Sequence, residues 1–341
     1  MKYLLLLILC SFTSFVMASN NVLNVYNWAL FMPHQVIKEF EQETGIQVHY
    51  SEFDSNNTLY TKLKADPNIG YDIVVPSSYY VERMRREGML RTLDKSKLPN
   101  LKYLNPLLLN RSYDPHNNYS VPYLWGTTGI VVNDRYHAPK NFQHWNDLWK
   151  KPYKDQLLIL DDAREAFAIT MISLGYSAND RNPAHIQQAY LKLKALLPNV
   201  KLFNSDAEDN VYIDEDATLG MGWSGDIYIS QQENSHLHYI YPKPHFPIWM
   251  DCLVIPTGAL HYQNALRFIN FLMRPEIARQ VIMLEGFSSP NTTAMKSLPK
   301  AMRNNPILNP SNATLRRGEV ESDLGSSDAI YENYWQWLKL G

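Results

Sequence analysis

Short apolar runs alternate with segments of helical periodicity along most of the chain. Near the start, residues 23–26 and 46–50 have the spacing of strands, and between them Val36, Ile37 and Phe40 recur at helical spacing. The pattern predicts strands at 23–26, 46–50, 72–75, 129–133, 157–160 and 253–256. It predicts helices at 33–45, 56–64, 79–88, 145–149, 164–174, 183–197, 263–273, 275–284 and 328–338.

The order of these elements predicts an α/β fold. Strands that alternate with helices of this length are typical of parallel sheets. A second series of strands and helices begins near residue 129, and neither an internal repeat nor a low-complexity linker separates it from the first. We therefore expect a two-lobed α/β protein in which the chain crosses between the lobes more than once.

Residues 1–18 have the pattern of a cleaved secretory signal peptide. Lys2 precedes a mostly apolar run over 4–16, and Val-Met-Ala at 16–18 suits a cleavage site. The apolar run is too short for a membrane span with these flanks. Because no later stretch of about 18 apolar residues follows, the mature chain is expected to be soluble and periplasmic.

Composition narrows the classes of function. The chain has 341 residues, of which 45% are apolar and 19% charged, so a large core is expected and disorder is not. A net charge of -2 gives no basic field for a nucleic-acid partner. Two cysteines exclude a disulfide scaffold. Cys10, preceded by Leu9 inside the leader, is a poor lipid acceptor, and Cys252 is expected to be a buried free thiol.

Acidic residues cluster at 161–165, where a predicted strand meets a predicted helix. Ligands of parallel sheets bind beyond the carboxyl ends of the strands. Asp162 and Glu165 are three residues apart, which places both on one face of a helix start whose dipole favours their ionised forms. Two other interpretations stay open: a helix cap in which the two residues form a capping box, and a pair of hydrolase carboxylates.

A tryptophan and an aspartate stand close together at 249–251, just before the predicted strand at 253–256. The indole face of Trp249 attracts cations, and the carboxylate of Asp251 neutralises them, so the pair suits an organic cation. Packing between two lobes is the alternative interpretation.

Two further patterns carry less weight. Residues 220–225 match the glycine spacing of a dinucleotide fingerprint, but no acidic residue follows at the expected distance, so we expect a tight turn that presents Trp223. His236 and His238 can share a strand face, yet no third ligand has a recognisable metal spacing. We therefore predict no metal site and no cofactor.

An ordered set of short segments extends over nearly the whole mature chain, from about residue 22 to 339. The segments read NW at 27–28, VPSSYY at 75–80, PYLWG at 122–126, DDARE at 161–165, FNSD at 203–206 and WMD at 249–251. Together they resemble the periplasmic spermidine/putrescine-binding proteins of bacterial polyamine ABC transporters. In such proteins carboxylates meet the ammonium groups of the ligand, while aromatic faces pack on its methylenes.

The resemblance implies a periplasmic-binding-protein (Venus-flytrap) fold of type II, with a ligand cleft between two lobes. Residues 19–128 and about 252–295 would form the first lobe, and 129–251 and about 296–341 the second. It also implies a monomer without enzymatic activity that delivers a polyamine to the membrane permease of an ABC importer. The residues it assigns to the ligand are Trp28, Ser77, Tyr79, Asp162, Glu165, Ser205, Trp223, Trp249, Asp251, Phe287 and Glu321. A secreted hydrolase and a sensor subunit that signals by closure are the alternatives from other classes.

The sequence departs from the family pattern at one end of the cleft. Spermidine-type members have Thr-Glu-Tyr where this chain has Ala29, Leu30 and Phe31. Phe287 replaces a tyrosine, and Glu321 replaces a glutamine. A desolvated ammonium beside Leu30 would lack a partner, so the far end of a long polyamine is expected to be held less well, unless Glu321 reaches it. Putrescine, spermidine and another small organic cation all remain open as the ligand.

Overall fold

The computed structural model describes residues 21–29, 31–150 and 153–340. The predicted signal peptide at 1–18, with Cys10, and the substituted position Leu30 lie outside the described residues. The strands are β1 Val22–Trp28, β2 Gln47–Phe53, β3 Ile73–Val74, β4 Ser120–Asn133, β5 Leu157–Ile159, β6 Val200–Phe203, β7 Leu219–Trp223, β8 Leu237–Ile240, β9 Phe246–Val254 and β10 Gly318–Val320.

Helices separate most of these strands. They are α1 His34–Thr44, α2 Asn56–Ala65, α3 Ser78–Arg86, α4 Ala163–Ser173, α5 Pro183–Leu196, α6 Glu208–Ile213, α7 Ser224–Glu233, α8 Tyr262–Leu272, α9 Pro275–Glu285, α10 Thr292–Ser297, α11 Lys300–Arg303, α12 Asn312–Leu315 and α13 Asp328–Leu340. Short 3-10 segments occupy Lys95–Lys97, Pro99–Tyr103, Pro106–Leu108, Pro139–Asn141, Trp145–Trp149, Leu197–Asn199 and Gly325–Ser327.

The structure confirms the predicted alternation of strands and helices, with three corrections. The strand predicted at 129–133 is the second half of β4, and the strand predicted at 253–256 is the end of β9. Trp249 and Asp251 therefore lie inside a strand rather than before one. The tight turn expected at 220–225 is wrong, because this segment continues from β7 directly into α7.

The physical reason for the glycine at 220 lies in strand packing. A Cβ atom at Gly220 would stand 2.2 Å from the carbonyl oxygen of Leu158, so only glycine allows β7 to pair with β5 here. Its φ of 152° is also rarely adopted by residues with side chains. Strand pairing, rather than a turn, therefore accounts for this glycine.

The sheet follows the order β2-β1-β3-β9-β4-β7-β5-β6, with β10 paired to β9 and β8 to β4. The strands β1, β2 and β3 run parallel in the first lobe, and β5, β6 and β7 run parallel in the second. β4 joins the two lobes. Its first residues, 120–127, pair with β9, and the following residues, 128–132, pair with β7. The fold is thus the expected two-lobed α/β architecture.

Two large apolar clusters form the interior: the first lies in the first lobe, and the second extends from the second lobe into the first. In the first, Phe40 of α1 packs edge-on against Phe268 of α8, with ring centroids 4.8 Å apart. In the second, Phe167 of α4 packs against Tyr331 of α13 at 4.9 Å. Cys252 is fully buried in β9 as a free thiol, as the sequence predicts.

Candidate functional site

The second lobe presents acidic and aromatic residues at the carboxyl ends of three parallel strands. Asp162 and Glu165 follow β5, Ser205 and Glu208 follow β6, and Trp223 ends β7. Because β7, β5 and β6 are parallel neighbours, their carboxyl ends share one edge of the sheet. This edge is where ligands bind in α/β folds, and it faces the first lobe here.

Asp162 is both a helix cap and a cleft residue. Its Oδ1 accepts a hydrogen bond from the backbone N–H of Glu165, 3.0 Å away, at the start of α4. Loss of hydration raises the pKa of the Asp162 carboxyl, whereas the backbone N–H groups at the helix start lower it. The helix-cap interpretation is therefore confirmed for Asp162, although the side chain of Glu165 turns elsewhere.

Glu165 and Glu208 both bind Trp223. The indole Nε1 of Trp223 donates to Glu165 Oε1 at 2.9 Å, and the backbone N–H of Trp223 donates to Glu208 Oε1 at 2.8 Å. Both glutamates are nearly fully buried, and the Oε2 atom of each accepts no hydrogen bond from the described residues. The Thr128 hydroxyl stands close enough to lower the pKa of Glu165, yet it forms no hydrogen bond of ordinary geometry there.

Asn56, Ser77 and Tyr79 of the first lobe form a hydrogen-bonded cluster with Asp251 of β9. Ser77 Oγ donates to Asp251 Oδ1 at 2.6 Å, and the Asn56 amide donates to Ser77 Oγ at 2.9 Å and to the Tyr79 hydroxyl at 3.0 Å. Asn56 lies at the start of α2, and Ser77 precedes α3. One amide thus fixes two predicted site residues and, through Ser77, a third.

Glu321 lies where the two lobes meet. Its backbone carbonyl accepts a hydrogen bond of 2.7 Å from Ser78 of α3, and its Oε1 forms an ion pair of 3.7 Å with Arg164 Nε of α4. The Arg164 guanidinium also stands 5.8 Å from the ring centroid of Tyr79. Glu321 therefore faces Arg164 and Tyr79, and no described contact joins it to Phe31.

Aromatic rings enclose the other end of the cleft. The ring centroids of Phe31 and Phe287 are 4.8 Å apart, those of Trp249 and Phe287 are 5.9 Å apart, and those of Trp28 and Phe31 are 6.2 Å apart. The indole nitrogens of Trp28 and Trp249 are buried, with no hydrogen-bond acceptor among the described residues. This end of the cleft therefore presents mainly apolar faces.

Burial leaves several carboxyls of the cleft difficult to ionise. It raises the pKa of Asp251 to about 7, against a lowering effect of Ser77. It also raises the pKa of Glu321 to about 7, where Arg164 opposes the rise and Asp162 and Asp251 add to it. Burial, together with the charges of Glu321 and Asp162, raises the pKa of Glu165 well above its usual range. Such a set gains most from a bound cation, which would stabilise the ionised forms.

The eleven predicted residues separate into two groups and one isolated residue. Ser77, Tyr79, Asp162, Glu165, Trp223, Asp251 and Glu321 are connected by hydrogen bonds or by mutual charge effects. Trp28, Trp249 and Phe287 belong to the aromatic end. Ser205 lies in the turn after β6, and its hydroxyl is buried and unpaired among the described residues.

Sequence reasoning missed Asn56, Arg164, Glu208 and Asp226 as members of this region. Burial raises the pKa of Asp226, in the first turn of α7, to about 7. Three of these residues are close in sequence to a predicted one: Arg164 stands between two of them, Glu208 follows Ser205 by three residues, and Asp226 follows Trp223 by three. Asn56 gave no such signal, because its partners are about 20 residues away in sequence, at 77 and 79.

The described part of the chain contains no group of three or more His, Cys, Asp or Glu side chains placed to hold a metal ion. His236 Nδ1 and His238 Nε2 each form a 2.7 Å hydrogen bond with Asp134 instead. Among the described helices, none combines the length and apolar character required to cross a bilayer.

Comparison with known proteins shows which family the chain resembles over most of its length. The sequence profile of the bacterial extracellular solute-binding proteins matches residues 35–310. The chain is 45% identical to the spermidine/putrescine-binding periplasmic protein of Salmonella typhimurium over 95% of this chain and 93% of that one. It is also 45% identical to the protein of the same name from Escherichia coli, over 94% of this chain and 92% of that one.

A solved structure shares the fold over the same extent. The spermidine/putrescine ABC transporter substrate-binding protein of Streptococcus pneumoniae, determined with calcium and HEPES, superposes with a TM-score of 0.82 at 35% identity. The match covers 94% of this chain and 99% of that chain. Both lobes and the cleft between them are therefore included in the similarity.

Proposed function

Because the chain belongs to the bacterial extracellular solute-binding protein family, we propose that it captures a linear polyamine in the periplasm and delivers it to an ABC importer. The buried carboxylate of Asp251 carries this proposal. Asp251 is 4% exposed, its Oδ1 atom is held by Ser77, and Trp249 lies two residues away on the same strand. A fixed carboxylate and an indole two residues apart on one face of a strand suit an alkylammonium group, since they offer charge neutralisation and a cation–π contact.

The proposed ligand contacts are the eleven residues assigned from the sequence. The proposed lobes also have the boundaries expected from the sequence. Residues 19–128 and about 252–295 would form one lobe, and 129–251 and about 296–341 the other. Two or three ammonium–carboxylate pairs, at about 1.5–3 kcal/mol each, plus aromatic burial account for micromolar affinity, about -8 kcal/mol. The proposed partners are the polyamine and a membrane permease, and the protein acts as a monomer, without nucleic acid or cofactor.

Binding rather than hydrolysis is proposed for Asp162 and Glu165. The Asp162 carboxylate is engaged in capping α4, and Glu165 is bound to the indole of Trp223. One carboxylate is thus positioned by a helix start and the other by an indole in the cleft. Carboxylates positioned in this way are suited to holding a cation. Stoichiometric retention of ligand, rather than turnover, is the expected behaviour.

Calorimetric titration of the refolded mature protein with putrescine, cadaverine, spermidine and spermine tests the proposal. Unfolding and refolding first removes any bound ligand. We expect saturable one-to-one binding, with the diamines retaining more of the available contacts than spermine, because the Phe31–Phe287 end offers apolar faces. A refolded, cooperatively melting protein that binds none of the four would contradict the proposal.

Closure of the cleft gives a second, independent prediction. A Cβ atom at Gly225 of α7 would stand 2.1 Å from the ring of Phe287, which is packed between Phe31 and Trp249. Gly225→Ala should therefore disfavour the closed form and weaken polyamine binding by about tenfold. The melting temperature of the ligand-free protein should change little, because the clash arises between lobes.

The same substitution at Gly258 provides a control for this reasoning. There a Cβ atom would meet the backbone of Pro67 at 1.8 Å, within the proposed first lobe. Gly258→Ala is expected to lower the melting temperature of the ligand-free protein. Gly225→Ala is expected to leave that melting temperature nearly unchanged. Equal ligand affinity of Gly225→Ala and the wild type would contradict the closure argument.

A further inference from the structure

Glu208 is a buried acid, and one of its two carboxylate oxygens has no hydrogen-bond partner among the described residues. The residue is 2% exposed, and its Oε1 atom accepts the backbone N–H of Trp223 at 2.8 Å. Its Oε2 atom is buried and accepts no hydrogen bond from the residues that the structure describes. An isolated, buried carboxylate oxygen is costly unless a cation or a proton meets it.

Glu165 repeats this arrangement on the other side of the same tryptophan. It binds the indole N–H of Trp223 through Oε1, and its Oε2 is likewise buried and unpaired among the described residues. Two more buried hydroxyls are unpaired among the described residues: that of Thr128, which acts on Glu165, and that of Ser205, three residues before Glu208 in the sequence. Trp223 thus binds two carboxylates, each with a second oxygen atom that is unpaired among the described residues.

We propose that Glu208 and Glu165 form a two-carboxylate subsite for one primary ammonium end of the ligand, an inference that rests on the polyamine function proposed above. An –NH3⁺ group has three N–H donors. The Oε2 atoms of Glu165 and Glu208 and the hydroxyl of Thr128 would supply the acceptors. The subsite therefore selects ligands with an unsubstituted amine terminus, and it holds that terminus in the second lobe, away from the apolar Phe31–Phe287 end.

The surroundings of Glu208 are acidic or neutral and match this role. Burial and the charge of Asp226 raise the pKa of Glu208 well above its usual range, with further increases from Glu165 and Asp209. The titratable groups that act on it or respond to it are Glu165, Asp209, Tyr212, Asp226 and Tyr239. An entering ammonium favours the ionised form of a carboxyl whose pKa burial has raised, so binding should release protons to the buffer.

The test compares Glu208→Gln with the wild type by calorimetric titration with 1,4-diaminobutane at pH 7. Glutamine keeps an oxygen acceptor for the Trp223 N–H but removes the charge. We expect affinity to fall by at least about tenfold, and proton release, measured in two buffers of different ionisation enthalpy, to decrease. Asp206→Asn, at an exposed position of the same turn, is the matched control and should change neither quantity.

Equal affinity and equal proton release in Glu208→Gln and the wild type would overturn the inference while leaving the proposed function intact. If the wild type binds no polyamine, both are overturned. Should Glu208→Gln fail to fold, the wild type alone decides, by titration with N,N,N′,N′-tetramethyl-1,4-diaminobutane. This ligand has the same charge and fewer N–H donors, and we expect it to bind at least about 100-fold more weakly than the parent diamine. Comparable binding of the two would refute the subsite.

Discussion

Asp251→Asn is expected to weaken diamine binding about 100-fold, the largest effect of any single substitution in the cleft. Asp251 is buried, and Ser77 donates to its Oδ1 at 2.6 Å. Asparagine retains an oxygen for Ser77 but cannot neutralise an ammonium, which would then be desolvated without a counter-charge. Loss of one partner from a buried charged pair costs about 3 kcal/mol, or about 100-fold in affinity.

Calorimetric titration with putrescine at pH 8 measures the effect. Asp54→Asn is the control, because Asp54 is exposed beyond the end of β2. The ligand-free Asp251→Asn protein should melt at the same temperature as the wild type or higher, since it no longer buries a carboxyl that is ionised at this pH. A variant that binds putrescine as tightly as the wild type would remove Asp251 from the ligand site.

A strong pH dependence of binding is the second large effect. Burial raises the pKa values of Asp251 and Glu321 to about 7 each. Both must be ionised to meet an ammonium, and each group of this pKa changes the affinity by about tenfold between pH 8 and pH 6. The amine itself stays charged throughout this range, because its pKa resembles that of lysine, about 10.4. We therefore expect putrescine to bind about 100-fold more weakly at pH 6 than at pH 8.

The stability of the ligand-free protein should respond in the opposite direction. The pKa values of these carboxyls are higher in the folded state than in the unfolded chain, so the folded state binds more protons between the two values. The stability that these carboxyls contribute to the folded state is fully present below their unfolded pKa, about 4. It is lost as the pH rises through their folded pKa, about 7. Polyamine should thus raise the melting temperature more at pH 8 than at pH 6.

Titrations of the wild type and Asp251→Asn at both pH values separate the contributions. The variant should lose the share of Asp251, about tenfold in affinity between pH 6 and pH 8, and keep the share of Glu321. Affinities that do not change with pH would mean that neither carboxyl exchanges its proton for the ligand.

Local features of the sequence were sufficient to predict the helix that carries two of the acids. Asp162 follows a buried strand, and its side chain caps α4 as the spacing to Glu165 predicts. The capping box failed in its second half, because Glu165 accepts from Trp223, which is 58 residues further along the chain. A local motif cannot indicate that a distant indole offers a better-placed donor.

The substitutions at the aromatic end of the cleft were likewise predicted only in part from the sequence. The sequence identified Phe31 and Phe287 as apolar substitutions, and the structure places their rings 4.8 Å apart. It could not decide where Glu321 stands. Glu321 pairs with Arg164 in the second lobe, so the described contacts of this carboxyl do not compensate for the apolar end.

The sequence by itself determined the α/β alternation, the two series of strands and the identity of the residues that follow them, because periodicity and capping act over a few neighbouring positions. Only the tertiary structure decided which of those residues meet. The parallel pairing of β5, β6 and β7 brings Glu165, Glu208 and Trp223 to one edge, and β4 joins that edge to Asp251 of β9. Hydrogen bonds between segments far apart in the chain, and the shared burial that raises the pKa values of their carboxyls, exist only once the strands have paired.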